Sequence, residues 1–223
     1  MRVVISLLMM LFWLCLVVPT GQRANVHLSA DPLTADDRAD PSGRAQVPQT
    51  LVAVQLQSPD FTVIEMKYRV FFNKGELKKI PLVDYDFKAA LTDELMNALA
   101  EDARMKWRLP SDKETMDVFA VLKKKAPLPP LESERVLLVG VQDFGALLAD
   151  LAADKFYILA QFKLIDRATG KKLWEKKVYE RTDFDGKLKD MQADNQKGLK
   201  VGINKVLEKV TRKVVADMRL AKI

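Results

Sequence analysis

Two hydrophobic patterns run along the chain, one predicting strands through its middle and the other predicting helices around them. From Leu51 to Gln57 apolar and polar residues alternate, and Ser58-Pro59-Asp60 supplies a turn. Ile64, Met66, Tyr68, Val70 and Phe72 then share one side of a nine-residue alternation, with Glu65, Lys67 and Arg69 on the other. That period of two predicts a half-buried strand with the Ile64–Phe72 set facing the core. Asn73-Lys74-Gly75 ends it with turn chemistry. Arg135 to Gln142 (RVLLVGVQ) is almost continuously apolar, as expected of a short strand covered on both faces. Segments 156–166 and 171–180 flank Arg167-Ala168-Thr169-Gly170, which predicts a hairpin with glycine where positive φ is needed.

The helical pattern has longer steps. Asp86 is placed to cap a helix running to about Arg104, in which Phe87, Leu91, Leu95, Ala98 and Leu99 line one side. Ser111-Asp112-Lys113-Glu114 has the form of a capping box and predicts a second helix through Met116, Phe119 and Leu122. Pro127, Pro129 and Pro130 then force an extended crossing. The Ala/Leu-rich stretch 145–154 predicts a short helix. Finally, Lys187 to about Leu220 predicts one long helix, because Leu199, Ile203, Val206, Leu207, Val210, Val214 and Met218 recur at steps of three and four. The expected fold class is α/β (α+β): a mostly antiparallel or mixed sheet with helices packed on it and a long C-terminal helix.

The first residues are a different material. Val3 to Val18 carries no charge, follows Met1-Arg2, and is closed by Pro19. Its sixteen residues match the core of an export signal and fall short of the roughly 20 that span a bilayer comfortably. Residues 25–50 are rich in Ala, Asp, Pro, Ser and Gly, too poor in large apolar side chains to offset their ordering entropy. The organisation expected is therefore a signal peptide or N-terminal anchor at 1–24, a flexible linker at 25–50, and one α/β domain at 51–223. No A-x-A cleavage site is present, and the best cutting point lies between Thr20 and Ala24. Cys15 follows Phe12-Trp13-Leu14, without the small residue that a lipoprotein signal places before its cysteine. The chain is expected to be exported to the periplasm, either free or held by residues 3–18.

Composition narrows the chemistry. Hydrophobic residues make up 48% and charged residues 30%, which suits a globular domain. The one cysteine (Cys15) and the one histidine (His27) both precede the predicted domain. Thiol nucleophiles, Ser-His-Asp triads and Cys/His zinc sites are thereby excluded from it. There is no G-x-G-x-x-G and no Walker loop, so no cofactor is expected. Asp84-Tyr85-Asp86 and Asp183-Phe184-Asp185-Gly186 are the two tight acidic clusters, each standing before a predicted helix where acids cap free N–H groups. A carboxylate-dependent hydrolase is the enzymatic alternative they leave; the main expectation is a non-enzyme. The absence of cysteine after residue 24 and of any Asn-x-Ser/Thr acceptor points to a bacterial envelope.

Charge points to a surface. The chain has 36 Lys+Arg and 30 Asp+Glu, and residues 187–223 hold ten of those bases against four acids. Lys200, Lys205, Lys209, Arg212 and Lys213 fall largely opposite the apolar stripe of the last helix and form the candidate interaction surface. An envelope protein or an anionic membrane surface suits it. Nucleic acid does not, since this helix has no aromatic residue for base stacking.

The hairpin Leu164-Ile165-Asp166-Arg167-Ala168-Thr169-Gly170-Lys171-Lys172-Leu173-Trp174-Glu175 resembles a signature of bacterial envelope proteins with a TolB-N-terminal-like α/β domain, among them curli-secretion-channel-like and penicillin-binding-protein-activator-like lipoproteins. Element order is similar over about residues 50–220, while the specific residues are confined to the hairpin. The resemblance implies a non-catalytic accessory protein that acts by contact with an envelope assembly, and it carries over no site residues. The lipobox of those lipoproteins is missing, and no insertion looks like pore-forming strands. A membrane-anchored lipid-handling or transport-auxiliary component is the alternative.

Overall fold

The computed structural model describes residues 48–69, 72–149, 154–183 and 186–221, with side chains for all of these except 66–69, 72–75 and 149. Cys15, His27, the segment 1–24 and most of the linker lie outside the described residues. In chain order the elements are β1 (Gln49–Leu56), β2 (Phe61–Arg69), β3 (Phe72–Ile80), α1 (Phe87–Ala100), β4 (Lys106–Arg108), α2 (Val118–Leu122), β5 (Arg135–Ala149), β6 (Lys155–Asp166), β7 (Lys172–Asp183), α3 (Leu188–Met191) and α4 (Ala193–Leu220). The fold is mixed α/β, as its sequence pattern predicts, and β1 begins two residues inside the expected linker.

All seven strands join one sheet, and β5 is its axis. Along one side of β5, residues 135–141 pair in parallel with β1, and residues 145–149 pair in parallel with β2. The Gln57 N–H donates to the Val141 carbonyl (2.9 Å) where one partner hands over to the next. β4 continues the sheet beyond β1 in parallel, and β3 beyond β2 antiparallel. On the other side of β5 lies β6, antiparallel, and then β7.

Alternation sorts the strand residues into two cores. Val52, Val54, Leu137, Val139, Val141, Phe156, Ile158, Phe162 and Leu164 face α1 and α4. Leu51, Ala53, Val136, Leu138 and Ile165 face α2 and Leu131. The expectation that Arg135–Gln142 is covered on both faces is met, because buried residues alternate between the two cores. Asp86 caps α1 by accepting from the Ala89 N–H (3.0 Å), and Phe87, Leu91, Leu95 and Leu99 are buried. At its start the Phe87 ring stacks on Phe144, centroids 3.7 Å apart.

Five expectations need correction. Asn73-Lys74-Gly75 is not a turn but part of β3, paired with Tyr68, Lys67 and Met66 of β2. The stretch after Gly145 is not a helix: residues 145–149 extend β5, because the backbone there is needed to pair with β2. The predicted core face of β2 is also reversed. Phe61 and Val63 are buried, and Ile64 is half-exposed on the opposite face beside Leu77 across the ladder. The side chains of Met66, Tyr68 and Phe72, and Val70 altogether, lie outside the described residues. Ser111 and Glu114 do hydrogen-bond each other, but they close a turn; α2 starts later, capped by Asp117. Glu114 is drawn away by Arg108, with contacts of 2.5 and 2.6 Å.

The last helix is interrupted as well. Asp194, Asn195 and Gln196 have left-handed backbones (φ 48, 54 and 61°), separating α3 from the main body of α4. The break is held by side chains that reach the loop before α1. Gln196 accepts from the Val83 N–H (2.9 Å) and donates to the Pro81 carbonyl (3.1 Å), while Asn195 donates to Asp84 (3.2 Å). Apolar periodicity registers none of these polar contacts.

Gly145 is where two strands come closest. A Cβ there would lie 1.7 Å from the Thr62 carbonyl oxygen, a backbone atom that cannot rotate away. Gly145→Ala is expected to destabilise the chain by about 2–3 kcal/mol through forced separation of β2 from β5. In contrast, Gly170→Ala in the open hairpin turn (φ +66°) meets no atom and costs about 1–2 kcal/mol from backbone conformation alone. Urea unfolding of the two variants checks this order.

Candidate interaction surface

Burying Val178 and Trp174 against α4 places the even-numbered residues of β7 on the helix side, and Glu180 goes with them. Glu180 is 6% exposed. A carboxylate so enclosed must be paired, and α4 supplies the cations. Lys213 donates to one oxygen, and Lys209 lies 3.5 Å from the other. Lys209 also donates to the Arg181 carbonyl (2.9 Å). Burial pushes the Glu180 carboxyl up, but the Lys213 hydrogen bond and the charges of Lys213 and Lys209 outweigh it and hold the group below its ordinary range.

A second clamp lies one helical turn further on. Asp217 accepts from the Trp174 indole and from Lys176, each at 3.1 Å. The Lys176 hydrogen bond chiefly lowers its pKa. At the other end of α4 the Tyr85 hydroxyl donates to Asn204 (2.6 Å), and burial pushes that phenol up to about 12.

The five candidate residues therefore separate. Lys209 and Lys213 are brought together on the buried Glu180, their own side chains still about half exposed. Arg212 pairs with Glu208 on its own helix (2.5 Å). Lys200 is half-buried, and Lys205 is exposed. The cations of α4 remain largely exposed, and two of them also reach a carboxylate contributed by another element, which helical periodicity cannot register.

Lys205 instead borders a cleft of about 430 Å³ at the junction of α3 and α4. Phe156, Met191 and Val201 line its apolar part, Val201 being 50% exposed, with Lys187, Lys197, Asp190 and Asp194 around it. The acidic clusters form no facing pair among the described residues. Asp86 caps α1, Asp84 accepts from Asn195, and Asp183 pairs with Lys155. Asp185 lies outside the described residues.

One polar cluster escaped sequence reasoning. A register shift between Val141 and Asp143 turns Asp143 toward two hydroxyls, and Thr62 and Tyr157 each donate to it at 2.7 Å. Burial, then the Asp143 hydrogen bond, push the Tyr157 phenol up. The Phe144 N–H also donates to Asp143 (3.0 Å), so the cluster pins β2, β5 and β6 together. Only the bulge makes it, and a bulge leaves no mark on hydrophobic alternation.

The odd-numbered residues of β7 face away from α4. Tyr179 is 48% exposed, its ring covered on one side by the Arg181 guanidinium at 5.1 Å. Among the described residues β7 pairs only with β6, so no strand covers its outer edge, although Lys209 takes the Arg181 carbonyl. Leu173 on the same face is also exposed.

The Glu180 clamp makes a prediction. Lys213→Met is expected to lower stability by about 1–2 kcal/mol, and Arg212→Met by less than about 0.5. Because the folded pKa of Glu180 is depressed, its contribution is complete above the ordinary glutamate range. It is lost as pH falls through the folded value. The Lys213→Met penalty should thus be present at pH 7 and vanish toward pH 2, as read by chemical unfolding at both.

No family model matches the chain, and no curated protein matches it. Its structure resembles that of XCC0632, a Xanthomonas campestris protein of the DUF330 family (TM-score 0.54, 12% identity, 80% of this chain and 87% of that one). Chlamydia trachomatis CT253, a hypothetical protein, aligns over 77% of this chain and 95% of its own (TM-score 0.48, 11% identity). The lipoprotein GNA1162 of Neisseria meningitidis aligns over 71% and 97% (TM-score 0.35, 12% identity). At these identities what the chain shares with the Xanthomonas protein is its fold.

Proposed function

We propose that this chain is a non-catalytic accessory protein of the bacterial cell envelope, exported to the periplasm, that works by protein–protein contact with an envelope assembly. The observation that carries the reading is the open edge of β7, with Leu173 and Tyr179 exposed beside it. An edge strand offers backbone N–H and C=O groups to an added strand, and alternate side chains set which partner fits. The TolB-like resemblance of the hairpin that builds this edge supports the same reading. So does the absence of cysteine and histidine beyond residue 27.

A membrane-anchored lipid-handling or transport-auxiliary component is the second reading. It is favoured by the α3–α4 cleft, where apolar side chains are ringed by Lys187, Lys197 and Lys205 and by Asp183, Asp190 and Asp194. An apolar floor with a rim of both charges suits a zwitterionic amphiphile.

Photo-crosslinking in the native envelope separates the two. A crosslinker at Tyr179 is expected to give an adduct with an envelope protein, whereas one at Lys88, exposed on α1, gives none. Equal adducts from both positions, or none from either, would contradict the edge as the contact surface. Under the second reading a crosslinker at Val201 recovers phospholipid.

A further inference from the structure

On the face of the sheet that carries α2, the loop after that helix and the β6–β7 hairpin border an open cavity of about 590 Å³. Four cationic side chains line it, Lys124, Lys125, Lys163 and Arg167, and no carboxylate does. Lys163 is the unusual member. It is 7% exposed, set in β6 between the buried Leu138 opposite and Ile165 two residues on. Its stem is enclosed while its ammonium reaches the cavity, since it is not among the buried polar atoms left without a partner. Its cross-strand neighbour Glu175 hydrogen-bonds Gln161 and Lys172, each at 2.7 Å, and also feels the charge of Lys163, which helps to lower its pKa. Among the described residues none of the four cations makes a side-chain hydrogen bond or ion pair.

Like charges gathered around one cavity repel, and the arrangement is favourable when an anion lies between them. The loop is shaped to keep them there. Lys124 has a left-handed backbone (φ 57°), and the Lys125 and Ala126 N–H groups both return to the Ala120 carbonyl. On the opposite rim, Asp166 accepts from the backbone and hydroxyl of Thr169, which fixes the hairpin and so the position of Arg167. The motif singled out by its sequence thus forms one wall of a cationic cavity, while Leu128 and Ile165 give it an apolar side.

We infer that this cavity is a binding site for a phosphate group carried on an organic body, either a soluble phosphoester or the headgroup of a phospholipid. A phosphate monoester carries nearly two negative charges at neutral pH and several acceptor oxygens. It can therefore answer Lys163 and the rim cations together. The volume exceeds that of phosphate alone and leaves room for its carrier. This site is separate from the β7 edge and does not rest on that reading.

The test is equilibrium binding to the full chain at matched ionic strength. Its probes are glycerol 3-phosphate, inorganic phosphate, and vesicles of phosphatidylglycerol or phosphatidylcholine. Lys163→Met keeps the volume of a buried side chain, and Lys124→Ser/Lys125→Ser alters only exposed positions, so the second variant decides if the first fails to fold. Lys88→Ser, exposed on α1 and outside both clefts, is the control. The parent is expected to bind a soluble phosphate or the phosphatidylglycerol vesicles, with at least tenfold weaker binding in both cavity variants and none of that loss in the control. Binding of the soluble phosphates identifies a phosphoester ligand; binding of phosphatidylglycerol alone identifies a lipid headgroup. No binding of any phosphate by the parent, or binding unchanged in the cavity variants, overturns the site.

Discussion

The whole sheet depends on β5 serving two partners in succession along one side. Its first half pairs in parallel with β1 and its last part with β2, so a fifteen-residue strand is the shared reference for three ladders. The handover works because the chain bulges between Val141 and Asp143 and because Gly145 lets the Thr62 carbonyl approach where a Cβ would stand. With that side of β5 filled, the hairpin of β6 and β7 can join only on the other, which makes β7 an edge.

The position of α4 follows from this. Its apolar stripe covers the face of the sheet that α1 also covers, and its cations meet the acid that β7 buries. Two of the ten bases near the C-terminus, Lys209 and Lys213, thereby help to hold the helix to the edge strand. Other groups open to a partner are the outer side of β7, the α3–α4 cleft, and the cationic cavity against α2.

What could be read beforehand divides along the same physical line. The hairpin, the buried strand at 135–142, the Asp86 cap and the stripe from Leu199 onward were legible because each is set by local turn chemistry or by burial of a periodic face. The extension of β5 through residues 145–149 was not, since Ala and Leu suit a helix and only the pairing with β2 overrides that preference. The break at Asp194–Gln196 depends on a loop more than a hundred positions away, and the reversed face of β2 depends on which side α1 covers. Lys209 and Lys213 looked free for the same reason: their partner belongs to another element. Lys163 is the reverse case, a charged residue in a strand whose burial shows only once α2 and the hairpin are in place.

Residue-resolved amide exchange of the isolated chain tests most directly the claim that the outer edge of β7 is open. If it is, alternate amides of residues 172–183 should exchange at least a hundredfold faster than those of 136–141 in β5, with the intervening β7 amides protected by β6. Uniform protection along β7, equal to that of β5, would mean that the edge is already covered and would contradict the account.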